Sequence, residues 1–343
     1  MMMSSIRSAV STLMPKQKLP NSFQSYLHSS GGFNLGILHP PHNPRKDKLL
    51  VVLGTTGAGK SRLSIDLASR FSGEIINSDK MQVYRGLDVL TNKVTNDERR
   101  HVPHHLLGVV DPAKNFTAKN FCFAATETIK SITARGHLPI IAGGSNSFIE
   151  ALMDDKDCRL RSTYDVCFLW VDVSMPVLHS FVSDRVDKMV DRGLVEEARS
   201  AFDPKNGDYS TGIRKSIGVP EFHRYFQAEE TADAGTRAAL LKEAIDEVKV
   251  NTCVLSSRQL EKIKRLRDVR GWKLHRVDAT EVSRMKAAGG GKDKEMWENQ
   301  VVRPSATIVT RFLHNRFGSL IYADAATAIR PPAVGMGLAA ATH

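Results

Sequence analysis

The chain has 343 residues, 41% of them hydrophobic, with 48 Lys and Arg against 37 Asp and Glu and a net charge of +11. That apolar content is ample for a core, in one large domain or two small ones, and no run approaches the roughly 18 apolar residues of a membrane span. The four cysteines, Cys122, Cys158, Cys167 and Cys253, form no CxxC pair and read as reduced, structural thiols.

The charge is uneven. Residues 1–46 carry Arg7, Lys16, Lys18, Arg45 and Lys46, eight serines and no acid. An acid-free, Ser-rich, Arg/Lys-bearing start describes an organellar transit peptide, and a leader without an address is the plain alternative. It lacks the long apolar stretch of a secretory signal. The remainder is only mildly basic, which suits an anionic substrate but is no nucleic-acid footprint by itself.

Residues 49–53 are an all-apolar run that meets Gly54, Thr55, Thr56, Gly57, Ala58, Gly59, Lys60 and Ser61. This GxxxxGK[ST] pattern is a phosphate-binding loop. Its amides curl around an anion, Lys60 adds a point charge, and the next helix presents its positive end. Ser61 is placed to ligate a Mg²⁺ that bridges phosphate oxygens. Leu63, Leu67, Ala68 and Phe71 make one helical face.

The run EIIN at 74–77 predicts a second strand, parallel to the first, since one helix separates them. Chemistry in open α/β sheets gathers beyond the carboxyl ends of the strands, so Asp79 falls on the rim of the phosphate loop. Three readings of Asp79 stay open on position alone: proton acceptor, Mg²⁺ holder through water, or helix cap. His101, His104 and His105 lack the companions of a zinc site. Residues 116–135 read as a helix stopped by Gly136. The run LPIIA at 138–142 predicts a third strand, entering a turn at Gly143 and Gly144 with Ser145 or Asn146 capping the next helix.

Residues 165–173 predict a fourth strand and 181–199 one helix bearing Arg185, Met189 and Leu194. Met189 reads as core; Arg185 is either solvated or reaches back to a phosphate. Residues 238–263 keep a helical period, with a basic end at 258–270. The short apolar pieces 272–277 and 306–310 are read as returning to the sheet edge. Residues 287–291 read as a flexible glycine loop, and the Ala/Gly/Pro-rich 321–343 as a disordered tail. The expected fold class is α/β, a P-loop-type parallel sheet flanked by helices with a mostly helical second half, spanning 47–320.

Seven motifs occur in order: GTTGAGKS, NSDKMQVYRGLDVLTNK, PHHLLGVVDP, IAGGSNSFIEAL, RVDKMVDRGLVEE, TGIRKSIGVPEF and NTCVLSSRQLEKIKRL. Together they resemble the isopentenyl/dimethylallyl transferases that prenylate the N6 amine of adenine. The match spans about 48–275, with a weaker echo at Val302, Arg303, Pro304 and Ser305. One branch of that family modifies adenosine in tRNA; the other, in plants, prenylates ATP or ADP to form cytokinin precursors. Roughly thirty residues separate the fourth and fifth motifs, leaving little room for the tRNA-gripping insertion, and no Cys follows Cys253 for a zinc-finger end. Both features are similar to the plant adenylate branch, and the leader fits a plastid enzyme, with cytoplasm or mitochondrion as alternatives.

The resemblance implies transfer from dimethylallyl diphosphate to the adenine N6 of ATP or ADP, or of AMP, with Mg²⁺ as cofactor. It makes Asp79 the base and gives Lys60, Thr56, the loop amides, Ser61 with Mg²⁺, and Arg185 to the departing diphosphate. It places Gln82, Thr91, Gly144, Ser145 and Asn146 along the substrate channel. Arg214 and Lys215 are candidates for the acceptor phosphates, Lys292 a weaker one. A tRNA acceptor is the runner-up, and a small-molecule kinase the remote alternative; the oligomeric state stays open.

Overall fold

The computed structural model describes residues 46–155, 158, 160–287 and 293–314. Apart from Lys46, the expected leader lies outside these residues, as do the tail at 321–343, most of the glycine loop and Lys292.

The chain runs β1 (Asp47–Gly54), α1 (Lys60–Arg70), β2 (Gly73–Asn77), α2 (Asn96–Arg99) and β3 (His104–His105). It continues through α3 (Ala118–Ala134), β4 (Leu138–Ala142), α4 (Asn146–Asp154), α5 (Leu160–Thr163) and β5 (Tyr164–Asp172). After α6 (Met175–Val190), α7 (Leu194–Ser200), α8 (His223–Ala228) and the long α9 (Ala234–Asp268) comes β6 (Leu274–Asp278). Helices α10 (Thr280–Ala287), α11 (Asp293–Trp297) and α12 (Arg303–His314) close it, the last two joined by a π-helical turn, Glu298–Val302.

The six strands form one sheet in the order β3-β2-β4-β1-β5-β6, and every pair is parallel. Strand β1 lies inside it, Leu50 facing Ile140 on one side and Cys167 on the other. Its alternate side chains feed different cores, as a two-residue period requires. Leu50 and Val52 pack with α1, α6 and α12 through Leu63, Val182 and Val309, whereas Leu49, Val51 and Leu53 meet Phe121 of α3 and Leu152 of α4. Both faces are thus covered, which is why the strand reads as continuously apolar. A third cluster, with Val186, Phe222 and Val248, holds the helical second half.

Local chemistry sets the helix ends. Thr117 and Asn120 form a capping box on α3, and Asp233 accepts from the Gly235 and Thr236 amides to start α9. Two expectations are corrected. Residues 181–199 are not one helix: the chain breaks at Gly193, whose φ of 96° turns it into α7. Residues 306–310 do not return to the sheet but belong to α12, where Ser305 and Val309 are buried along with Val301 and Val302 of the preceding π-helical turn. The piece at 272–277 does reach the edge, as β6. His105 Nε2 lies 2.6 Å from Glu74 Oε2; burial opposes the charge of Glu74, but hydrogen bonds from His105 and Arg135 hold its pKa below the usual value.

Candidate active site

The carboxyl ends of β1, β2 and β4 deliver, side by side, the phosphate-binding loop, the turn carrying Asp79, and the pair Gly143 and Gly144. These line one cavity of about 1240 Å³. That exceeds the space of a single drug-sized ligand.

On the loop side, Gly59 has a φ of 94°, and a Cβ there would sit 2.7 Å from the Trp297 ring. Only glycine meets both demands. The ring is itself fixed: Trp297 Nε1 donates to Asp66 Oδ2 at 2.8 Å, and the Arg62 guanidinium lies 4.5 Å over its face. Lys60 is buried at the first turn of α1, its Nζ donating to Thr55 O at 2.7 Å. Burial lowers its pKa to about 8, the Asp79 carboxylate opposing that shift and Arg185 adding to it.

Arg185 comes from α6 and donates through Nη2 to Thr56 Oγ1 at 3.0 Å. Burial first, and Arg192 second, bring its pKa down to about 10. Its buried Nε has no partner among the described residues. Neither Lys60 nor Arg185 has a carboxylate within ion-pair distance among those residues, so two desolvated cations share a concave wall lined with backbone amides. An anion satisfies such a wall. Ser61, the hard oxygen donor there, is exposed to the cavity and fits a Mg²⁺.

Asp79 faces this wall. Asn77 builds its turn, Oδ1 accepting the Asp79 amide at 3.1 Å and Nδ2 donating to Leu106 O at 3.0 Å. Asp79 Oδ1 accepts from the Met81 amide at 2.9 Å and the Gln82 amide at 3.4 Å. Oδ1 thus pins the turn at 80–83, which does not continue as a helix, so the helix-cap reading of Asp79 is corrected to a turn contact. Oδ2 makes no hydrogen bond among the described residues and lies beside Gly144, where a Cβ would stand 3.4 Å away.

The expected residues divide. Thr56, Gly57, Gly59, Lys60 and Ser61 line the cavity, with Asp79, Gln82, Gly144 and Arg185. Gly54, Thr55 and Ala58 form the backing of the loop. Gln82 Nε2 donates to the carbonyls of Thr91 and Asn92, and the Thr91 hydroxyl donates to Leu87 O. Ser145 holds the N-cap position of α4, but its hydroxyl accepts from the Lys80 amide instead of capping. Asn146 Nδ2 donates to Gln259 O.

Arg214 is turned elsewhere: it donates to Asn206 O at 2.5 Å and lies over the Tyr209 ring, because the short 3₁₀ turn at 212–215 aims it there. Lys215 instead approaches Lys80, whose pKa is lowered by burial and by the charges of Lys262 and Lys215. None of these three lysines has an ion-pair partner among the described residues. Sequence reasoning missed Gln259, Trp297, Lys80 and Lys262, and also Lys188 and Arg192, which line the cavity. The last two stand three and seven positions beyond Arg185, a helical spacing that was legible; for Trp297 no local signal existed.

A family model described as IPP transferase matches residues 82–162 and 155–266. The chain is 50% identical over 326 residues to adenylate isopentenyltransferase 3, chloroplastic, of Arabidopsis thaliana, covering 93% of this chain and 95% of that protein. It is 53% identical over 280 residues to the Arabidopsis adenylate isopentenyltransferase 7, mitochondrial, at 81% and 83% coverage. Among solved structures, a eukaryotic dimethylallyltransferase acting on tRNA superposes with a TM-score of 0.66 at 24% identity, over 79% of this chain and 81% of that one, a likeness of fold. Sheet, loop and sequence agree: the chain belongs to the IPP transferase family.

Proposed function

We propose that this enzyme transfers the dimethylallyl group of dimethylallyl diphosphate to the N6 amine of adenine in ATP or ADP, releasing diphosphate, as in cytokinin synthesis. The observation that carries the reading is the face-to-face placement of Asp79 Oδ2 and the desolvated Lys60–Arg185 wall within one cavity. The naming of the relatives as adenylate isopentenyltransferases supports the acceptor.

The reaction is a displacement at an allylic carbon. Negative charge grows on the bridging oxygen as the C1–O bond breaks, and preorganised cations there lower the barrier most. Lys60, Arg185 and the Thr56 hydroxyl meet that charge, and Ser61 would hold a Mg²⁺, which when bound would supply further positive charge. The adenine amine is a weak nucleophile because its lone pair is delocalised. Asp79 Oδ2 accepts its N–H, orients it, and takes the proton as the N–C bond forms. Lys80, Lys215 and Lys262 converge beside Asp79 and suit the acceptor's phosphate tail. The acid-free leader and the chloroplastic or mitochondrial names of the relatives support an organellar address, the plastid first.

A tRNA acceptor is less well supported, because Arg265 and Arg270 both pair with Glu150 and Arg267 with Asp268, which neutralises much of the basic end of α9. The test supplies dimethylallyl diphosphate and Mg²⁺ with ATP, ADP, AMP or unmodified tRNA and reads products by mass. One added prenyl unit on ATP or ADP is expected. Prenylated tRNA with untouched nucleotides would overturn the reading.

A further inference from the structure

A single side-chain amide spans the two rims of the cavity. Gln259 sits in the C-terminal third of α9, 7% exposed. Its Oε1 accepts the Thr56 amide at 2.7 Å, and its Nε2 donates to Gly144 O at 3.0 Å. Its backbone carbonyl accepts from Asn146 Nδ2 at 3.1 Å. The fit is close, since a Cβ on Gly144 would stand 2.5 Å from Gln259 Nε2.

Each end of the amide grips a residue that is itself tied to reacting groups. Thr56 receives Arg185 on its hydroxyl, so the loop side of the bridge is also the diphosphate side. On the other side, the residue after Gly144 is stitched to both neighbours of Asp79. The Ser145 amide donates to Ser78 O at 3.2 Å, and its hydroxyl accepts from the Lys80 amide at 2.9 Å. The glutamine therefore couples the support of the donor to the support of the acceptor.

Displacement at carbon needs the attacking nitrogen, C1 and the departing oxygen in line. Here N6 rests on one rim and the diphosphate on the other, so the spacing of the rims sets that alignment. A misplacement of about 1 Å at such a site is enough for roughly a hundredfold loss of rate. We propose that Gln259 is a positioning residue that fixes the distance between Asp79 and the phosphate-binding loop, so that the acceptor amine meets the allylic carbon before water does. This rests on the prenyl-transfer reading given above.

A purely structural cross-link would share the same hydrogen bonds, so the decisive readout is chemical. With slack rims the C1–O bond still breaks, the oxygen leaving with the electron pair as diphosphate. Water then takes C1, loses a proton to solvent, and yields an allylic alcohol in place of prenylated nucleotide. The experiment compares the full-length wild type with Gln259→Met, which removes both side-chain hydrogen bonds at similar length. Gln259→Glu is run beside it, keeping the acceptor for Thr56 but setting a second oxygen against Gly144 O.

Dimethylallyl diphosphate, Mg²⁺ and ATP or ADP are supplied, and kcat, both KM values, Tm and the ratio of alcohol to prenylated nucleotide are measured. For both variants kcat is expected to fall about 10- to 100-fold, with each KM within about threefold and the alcohol fraction up about fivefold or more. An unchanged product ratio in folded Gln259→Met and Gln259→Glu, whatever the rate, overturns the inference. So does a loss of kcat that disappears at temperatures where the variants are fully folded. A wild type that prenylates no adenine nucleotide overturns the assigned acceptor first, and this inference with it.

Discussion

Asp79 is held by one oxygen and, among the described residues, left free at the other, and that division predicts how its variants fail. In Asp79→Asn the Oδ1 contacts to the Met81 and Gln82 amides have an isosteric substitute, so the turn survives. What is lost is the proton acceptor proposed above, for which a fall in kcat of about 10²- to 10⁴-fold is expected. Calorimetry should find binding of dimethylallyl diphosphate with Mg²⁺ nearly unchanged; a parallel collapse of donor binding would make Asp79 a metal or phosphate residue instead.

Lys60 gives a pH prediction. Its pKa is lowered from 10.5 to about 8, so below that value the free enzyme carries the charge that attracts diphosphate, and above it the charge is lost. The kcat/KM for the donor should be level below pH 8 and fall about tenfold per unit above it. Bound diphosphate restores the charge, so kcat itself should stay level over the same range. A Lys60→Met variant should lack the break, and its presence there would assign the titration to another group. The residues of the loop were readable in the sequence because their chemistry is written into adjacent positions; Asp79 could be placed on the rim by the strand before it, but its role came only from the family resemblance. Gln259 was not: its partner Thr56 is 203 positions away, and a glutamine in a helix advertises nothing by its spacing.

The same contrast holds for whole elements. Strands β1, β4 and β5 are apolar runs bounded by turn residues, and both faces are buried, so their sequences announce them. The break between α6 and α7 was hidden because the apolar spacing of Val182, Val186, Met189, Leu194 and Ala198 runs on across Gly193. Helix α12 was mistaken for a strand because a few apolar residues carry no period until Val301 and Val302 are counted with them. The turn that joins α11 to α12 matters to the site through Trp297, which fills the space Gly59 leaves open. Trp297→Ala should destabilise the protein by about 3–5 kcal/mol through the cavity it leaves and raise the KM for the donor. Denaturant unfolding together with initial-rate kinetics checks both. A stability loss without any change in KM would mean that the ring supports the fold and not the loop.

At the scale of the molecule, the cavity is a coupling between ligand and fold. Dimethylallyl diphosphate with Mg²⁺ at a hundredfold excess over Kd should add about 2.7 kcal/mol of stability, a rise in Tm of roughly 5 °C or more for a domain of this size. Asp79→Asn should keep that rise, and Lys60→Met should lose most of it. Thermal melts with and without donor decide the matter.

The position of β1 in the sheet has a further consequence, in time rather than in space. Leu50 leaves the ribosome before either of its neighbours, Ile140 and Cys167, exists. The apolar run of β1 must therefore wait unpaired while the chain behind it is made, and such segments are where a growing chain meets the wrong partner. The clamps on its loop come later still, Gln259 from α9 and Trp297 from α11. The phosphate-binding loop is thus made well before the residues that clamp it, so an unfinished chain carries the motif without the site.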